Sequence, residues 1–396
     1  MILITNIDKM KTSDISKTRK LFPYLNKDVI YFNHASTGPM STRVKESINE
    51  LLYLKSEGKI DDYKELLRRA DESKRLLGKL LNTTADRIAF TSNTSSGLNI
   101  LSQGIRWKKG DRIILGDVEF PANVYPFMNL KEIGVEIDFV KSENGIVTAE
   151  NLIHAITPKT KLISVSYVQF LSGYRIDLEK LGTACREKGI ILSLDAIQGL
   201  GALTLNVQKC NIDFISCGTQ KWMLGLQGMA FIYISEELQS TLKTSSVGWL
   251  SVENAWDLID YDFTLKKTAN RYQPGTLNTF GIYAINASLK MFDEFGFNNI
   301  ENRVLSNSIY LIEQLTDTGF TPLLKNLSKK NLAGIISFKS EDAENIFNYL
   351  QAKNIVIAVR EGIVRLSPHF YNTKDEIDKV VAELKNYLLL LNMNYS

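Results

Sequence analysis

Cysteine is scarce. Three residues in 396, Cys185, Cys210 and Cys217, are too few and too irregularly spaced to frame disulfides or to ligate zinc, and they read as buried, reduced thiols. Apolar runs long enough to span a bilayer are missing as well, which leaves no candidate membrane-spanning helix. The opening MILITNIDKMK has a short apolar run, but lysine follows it and no small-residue cleavage site appears, so it is not read as a secretion signal and the expected location is cytoplasmic. Neither charge sign dominates. The net charge is +3 and the basic residues are scattered, which leaves no footprint for nucleic acid. The phosphate-binding G-x-x-x-x-G-K-[ST] pattern does not occur. GLGAL at 199–203 lacks the third glycine of a dinucleotide fingerprint, and no strand leads straight into it. There is no internal repeat and no low-complexity linker.

What is present is the composition of an ordinary soluble enzyme, 44% hydrophobic and 23% charged, with length enough for two domains. The most informative stretch runs from Gly189 to Ile234. Ile190–Leu194 is a continuous apolar run followed directly by Asp195, with Gln198 three residues on. Ile212–Ser216 is a second run that delivers Lys221 just past its end, and Met229–Ile234 is a third. Unbroken apolar runs of this length are the mark of parallel strands covered on both faces. Ligands in open α/β sheets bind outside the carboxyl ends of such strands, so Asp195 and Lys221 are expected to face one crevice. Elsewhere, strands are expected at Ile88–Thr91, Arg112–Leu115, Val135–Val140, Lys161–Val168, Ala333–Phe338, Ile355–Val359 and Ile363–Leu366. Helices are expected across Thr42–Leu81, with a break near Asp61, and over Ile377–Leu390.

A lysine amine forms a Schiff base with a carbonyl, and pyridoxal 5'-phosphate (PLP) is held in that way, with an acid on its pyridinium nitrogen. DAIQ (195–198) followed by GTQKW (218–222) resembles the fold-type I PLP enzymes of the class V aminotransferase group, which includes cysteine desulfurases, kynureninases and isopenicillin N epimerase-like enzymes. Other motifs fall in that family's order along nearly the whole chain: YFNHASTGP (31–39), the Ser/Thr-rich SNTSSG (92–97), EFPAN (119–123), GWLS (248–251), PGTLNT (274–279) and VRLSPHFYNTKDEID (364–378).

The resemblance implies an α/β architecture: a large domain with a mostly parallel seven-stranded sheet flanked by helices (31–280), a smaller α/β domain (281–396), and an N-terminal arm (1–30) packing on the latter. It implies PLP bound through Lys221, with Asp195 on the ring nitrogen, Gln198 near the ring hydroxyl oxygen and Phe120 stacked on the ring. Thr94 and Ser95, at a helix N-terminus suited to an anion, would meet the phosphate together with Gln220, and Thr276 would reach the phosphate of a partner subunit in a homodimer. Arg365 is the expected clamp for a substrate carboxylate, and His34 and Tyr167 are expected at the substrate side, with Gln169 and Asn123 nearby. Arg175 reads as a structural ion-pair partner.

Two departures shape the functional expectation. Gln220 stands where cysteine desulfurases have a histidine, and no cysteine follows Cys217, so the sulfur-accepting cysteine of a desulfurase's late loop has no counterpart. The leading expectation is an aminotransferase-like enzyme acting on an amino acid or small amine. The alternatives are a PLP lyase or epimerase of the same family, and a non-catalytic homologue.

Overall fold

The computed structural model describes residues 12–394. Its strands, in chain order, are β1 (Ile30–Tyr31), β2 (Ile88–Thr91), β3 (Arg112–Gly116), β4 (Glu136–Val140), β5 (Thr160–Ser166), β6 (Ile191–Asp195), β7 (Phe214–Gly218), β8 (Ala230–Ile234), β9 (Ile336–Lys339), β10 (Ile355–Val356), β11 (Ala358–Arg360) and β12 (Ile363–Leu366). Seven of them form the central sheet in the order β2-β8-β7-β6-β5-β3-β4. It is parallel except at β8, which runs antiparallel to both β2 and β7.

The apolar runs become strands because each face of the sheet has a layer to bury into. Successive residues point to opposite faces. Ile113, Leu115, Phe214, Ile232 and Ile234 enter one apolar cluster, while Ile114, Ile215, Phe231 and Tyr233 enter the other. The smaller cluster is closed by Leu98 and Leu101 of a helix, Thr94–Gly104. The larger is closed by the helix Tyr63–Leu81, through Leu66, Ala70, Leu77, Leu80 and Leu81. That second helix starts on Asp62, whose carboxylate accepts from the Glu65 N–H, and stops at Asn82 in the left-handed region. The break expected near Asp61 thus falls at its cap.

A three-stranded antiparallel sheet, β11-β12-β9, lies in the C-terminal part. The run expected as one strand over Ile355–Val359 divides at Ile357. β10 pairs in parallel with β1, whereas β11 pairs with β12. The chain changes partners there, which no local pattern reveals. The N-terminal segment is stitched to the C-terminal part again where the Ser367 N–H donates to the Phe32 carbonyl at 2.8 Å, and Arg19 pairs with Glu376 at 2.9 Å. Of the expected N-terminal arm, residues 1–11 lie outside the described residues, and Thr12–Arg19 is a helix.

Candidate active site

Asp195 is the last residue of β6, and Lys221 lies three residues beyond the end of the adjacent parallel strand β7. Asp195 is buried, and one carboxylate oxygen accepts from the Ile197 N–H at 3.0 Å. Burial raises its pKa to about 6 against the opposing pull of that N–H and of Lys221. Burial drives the Lys221 amine down to about 8, with Asp195 pulling upward and Arg365 and Arg360 pushing further down. The amine lies 5.6 Å from the centroid of the Phe120 ring. A lysine of lowered pKa, a buried carboxyl and an aromatic face therefore meet at the carboxyl ends of the strands.

The loop that carries the lysine is held from several sides. Thr219 N–H donates to the Met229 carbonyl at 3.0 Å, Gly225 N–H to the Thr219 carbonyl at 2.8 Å, and Leu224 N–H to the Lys221 carbonyl at 3.1 Å. Leu224 has φ 54°, a left-handed conformation costly for a branched side chain and sustained by those bonds. The Gln220 carbonyl accepts from the Gly38 N–H at 2.7 Å, and a methyl group on Gly38 would overlap the Lys221 carbonyl. The buried Trp222 donates its indole N–H to the Gln198 amide oxygen at 3.0 Å. Its carbonyl lies 2.9 Å from His369 Nε2; since His369 Nδ1 accepts from the Phe370 N–H, Nε2 is the donor.

Phe120 is 44% exposed and meets Phe170 edge-on at 5.4 Å between centroids. Its predecessor Glu119 sinks its carboxyl among donors: Ser166 N–H at 2.9 Å, Ser166 Oγ at 2.5 Å and Asn123 Nδ2 at 2.9 Å. Asn123 in turn accepts from Ser164 Oγ at 2.6 Å. Burial, aided by the nearby Asp195, raises Glu119 to about 7 against these donors. The network ties the loop bearing Phe120 to the end of β5, and Ser166 is the register partner of Asp195 on β6.

The helix Thr94–Gly104 starts on Asn93, whose side chain accepts from the Ser96 N–H at 2.8 Å. Thr94 locks it to β7: its Oγ1 accepts from the Gly218 N–H at 3.1 Å and its carbonyl from Ser216 Oγ at 2.8 Å. Ser95 stands half-buried beside it, on a groove shared with Asn99, Phe120 and Tyr125. Across the crevice, Arg365 on β12 is 3% exposed and donates to the Phe170 carbonyl and to Ser36 Oγ, both at 2.9 Å. Its Nε has no hydrogen-bond partner among the described residues. Burial and the neighbouring Arg360 lower it to about 10.

Asp195, Lys221, Phe120 and Arg365 are thus brought together, with Thr94, Ser95 and Gln220 at the near edge. Four expected residues are engaged otherwise. His34 is fully buried, with Nδ1 2.8 Å from the Ser367 carbonyl and Nε2 2.6 Å from the Tyr371 hydroxyl, so neither ring nitrogen faces the crevice. Tyr167 is buried against Gly199 and donates its hydroxyl to the Thr204 carbonyl at 2.8 Å. Gln198 accepts from Trp222 and donates to the Ala35 carbonyl at 3.0 Å, so its amide holds the frame of the site. Gln169 is bound to Val147 through both amide atoms. Thr276 is exposed, in the segment before the helix Thr279–Phe295, and Arg175 pairs with Glu301 at 3.0 Å. Glu119, Ser166, His369 and Arg360 had no role in the sequence reading. Glu119 and His369 carried a signal, as members of the family-like motifs EFPAN and VRLSPHFYNTKDEID.

Comparison with known proteins gives a consistent result. The family model described as aminotransferase class-V matches residues 30–380. An uncharacterized aminotransferase of Bacillus subtilis is 26% identical over 369 residues, covering 92% of this chain and 96% of its own. A probable cysteine desulfurase of Methanothermobacter thermautotrophicus is 27% identical over 395 residues, covering 93% and 96%. Among solved structures, a lysine-to-alanine mutant of the protein C-DES, with glycine covalently linked to its PLP cofactor, superposes with a TM-score of 0.85 at 20% identity, covering 93% of this chain and 98% of its own.

Proposed function

The chain belongs to the class V aminotransferase family, and from that premise we propose that it is a PLP enzyme that exchanges the amino group of a small amino acid or amine. The observation that carries the proposal is the meeting of Lys221, Asp195 and the Phe120 ring at the ends of two adjacent parallel strands. The residues fit the cofactor. Among the described residues no ion pair ties the half-buried lysine amine to the buried acid, an aromatic face lies beside that amine, and hydroxyl donors stand at a helix N-terminus close by.

When bound, PLP supplies an electron-withdrawing ring that loosens the bonds at the α-carbon of an attached amine. Lys221 would hold the cofactor through Nζ and, once displaced by the incoming amine, carry a proton to and from the α-carbon. With its pKa near 8 the amine is partly unprotonated at neutral pH, as both tasks require. Asp195 would hold positive charge on the ring nitrogen, and Phe120 would fix the plane of the ring. Thr94, Ser95 and Gln220 would meet the phosphate. Arg365, with an unpartnered Nε and no acid bonded to it, would bind the substrate carboxylate.

Sulfur transfer of the cysteine desulfurase type is disfavoured, although relatives carry that name. All three cysteines are buried, none follows Cys217, and β11 passes to β12 through only Glu361 and Gly362. The working form is a homodimer in which Thr276 and the loop around Trp249–Phe263 reach the neighbour's site. The support is an exposed apolar band that includes Trp249, Trp256, Leu258, Ile259, Tyr261, Phe263 and Phe280.

The test is Lys221→Ala. The native enzyme should show visible absorption that shifts on adding amine donors. The variant should lose the lysine-linked band and its turnover, the latter by roughly 10²–10⁴-fold or more. Native protein that takes up no PLP, or a variant that keeps full turnover, refutes the proposal. With donor alone, transamination stops after its first half-reaction until a keto acid is added, whereas a lyase or epimerase continues unaided.

A further inference from the structure

The sheet β11-β12-β9 has two unlike faces. Ile336, Phe338, Val364 and Leu366 point into the large apolar cluster. The other face is fixed by the register: Ser337, Arg365 and Ala358 form one row, and Lys339, Ile363 and Arg360 the next. Directly opposed residues share a face, as do residues two apart on a strand. Arg360 and Arg365 are therefore diagonal neighbours on the same face, about 7–8 Å apart. This face turns toward the site, since Arg365 reaches Ser36 and the Phe170 carbonyl and Ser337 donates to the Leu171 carbonyl at 2.7 Å.

The two guanidiniums differ in depth. Arg365 is buried, while Arg360 is exposed, with Lys339 also exposed on the same rim row. Their hydrogen bonds all go to neutral oxygens; that of Arg360 is to the Val359 carbonyl at 2.7 Å. The only acid on the hairpin is Glu361, in the turn itself. Arg360 depresses both Lys221 and Arg365, so its charge is felt inside the crevice. One buried cation suffices for an α-carboxylate. A second, facing the same space from the rim, has no acidic partner among the described residues.

We propose that Arg360 is a specificity-determining residue that reads a second anionic group, so that the preferred substrates are amino acids with an acidic side chain. This rests on the PLP reading above and names its substrate class. The α-carboxylate takes the inner guanidinium and the side-chain carboxylate the outer one, with Lys339 adding positive potential at the entrance. A short dicarboxylic amino acid spans the interval when each carboxylate meets a guanidinium fork.

Isosteric donors test this on the cofactor-loaded enzyme: L-glutamate against L-glutamine, and L-aspartate against L-asparagine. The native enzyme should favour the acid of at least one pair, chiefly through KM. Arg360→Gln should lower kcat/KM for that acid by roughly 10- to 150-fold, the scale of one charge-assisted hydrogen bond, and change the amide far less. Arg360→Lys should keep most of the preference. Independently of turnover, calorimetry should find glutarate binding tighter than pentanoate, an advantage lost in Arg360→Gln. Equal use of acid and amide, or a preference that survives Arg360→Gln unchanged, overturns the role of Arg360. Should no donor react, and Lys221→Ala leave the absorption unchanged, it is the PLP reading itself that fails, and this inference with it.

Discussion

The lysine loop and the loop around Trp249–Phe263 are opposites in construction. Between Thr219 and Met229 the backbone bonds to itself, and it is clamped from outside by Gly38, Gln198 and His369. Between Glu253 and Thr264 the chain is closed at its base by the Glu253 N–H to Thr264 carbonyl bond at 2.8 Å, yet Ile259 is 85% and Tyr261 90% exposed. Trp256 touches Trp249 and Tyr63 edge-on and remains mostly exposed. The first loop is finished by its own chain. The second presents apolar surface that a monomer has no use for, which is why a second copy is read as its cover.

Three variants sharpen that contrast, ordered by their expected effect on the stability of the chain itself. Gly201 has φ 100°, and a methyl there would overlap the backbone of Trp222, which cannot move without dragging the lysine loop. Gly201→Ala should cost roughly 3 kcal/mol or more in chemical denaturation, from backbone strain and overpacking together. A cost near zero would mean that the loop is not held as described.

Asp195→Asn follows. The folded pKa of Asp195, about 6, lies above the ordinary aspartate value, so folding favours the protonated form. That contribution is fully present below the unfolded pKa and is lost as pH rises through about 6. In the cofactor-free protein, Asp195→Asn should therefore be stabilising at pH 8, by on the order of 2–3 kcal/mol. The gain should shrink toward zero by about pH 4, and cofactor affinity should fall. Denaturation curves at the two pH values check the sign. The smallest effect belongs to the exposed loop. Ile259→Asp with Tyr261→Ser should change the stability of the isolated chain by only about 0.5 kcal/mol, while sedimentation shows the dimer dissociating. A double variant that remains dimeric would remove the reading of that loop as an interface.

The central sheet was legible because fully buried strands leave unbroken apolar runs, and the ends of those runs locate Asp195 and Lys221. Arg365 was legible from the motif around it. What local pattern does not carry is the direction a side chain takes once a strand ends. Tyr167 and His34 sit in family-like motifs, yet Tyr167 turns toward Thr204 and His34 is enclosed by Ser367 and Tyr371, partners more than 35 and 330 positions away. Glu119 was passed over for the related reason that its donor Ser166, 47 positions on, arrives only through sheet assembly. Arg360 lies just past the strand expected over Ile355–Val359, in a gap to which the sequence reading assigns no role. Its alignment with Arg365 depends on where the hairpin turns, which the register defines and hydropathy does not.

That turn has a consequence of its own. Arg360 faces Ile363, so just two residues, Glu361 at φ 51° and Gly362 at φ 71°, reverse the chain, as a two-residue hairpin of this twist requires. Extra length inserted at an exposed tip is penalised only slowly as it grows, and nothing packs within 4 Å of the space beside Gly362. New catalytic equipment, such as a thiol on a grafted segment, could thus be hung over the crevice by splicing between these two positions, leaving the buried scaffold of acid, amine and guanidinium as it stands.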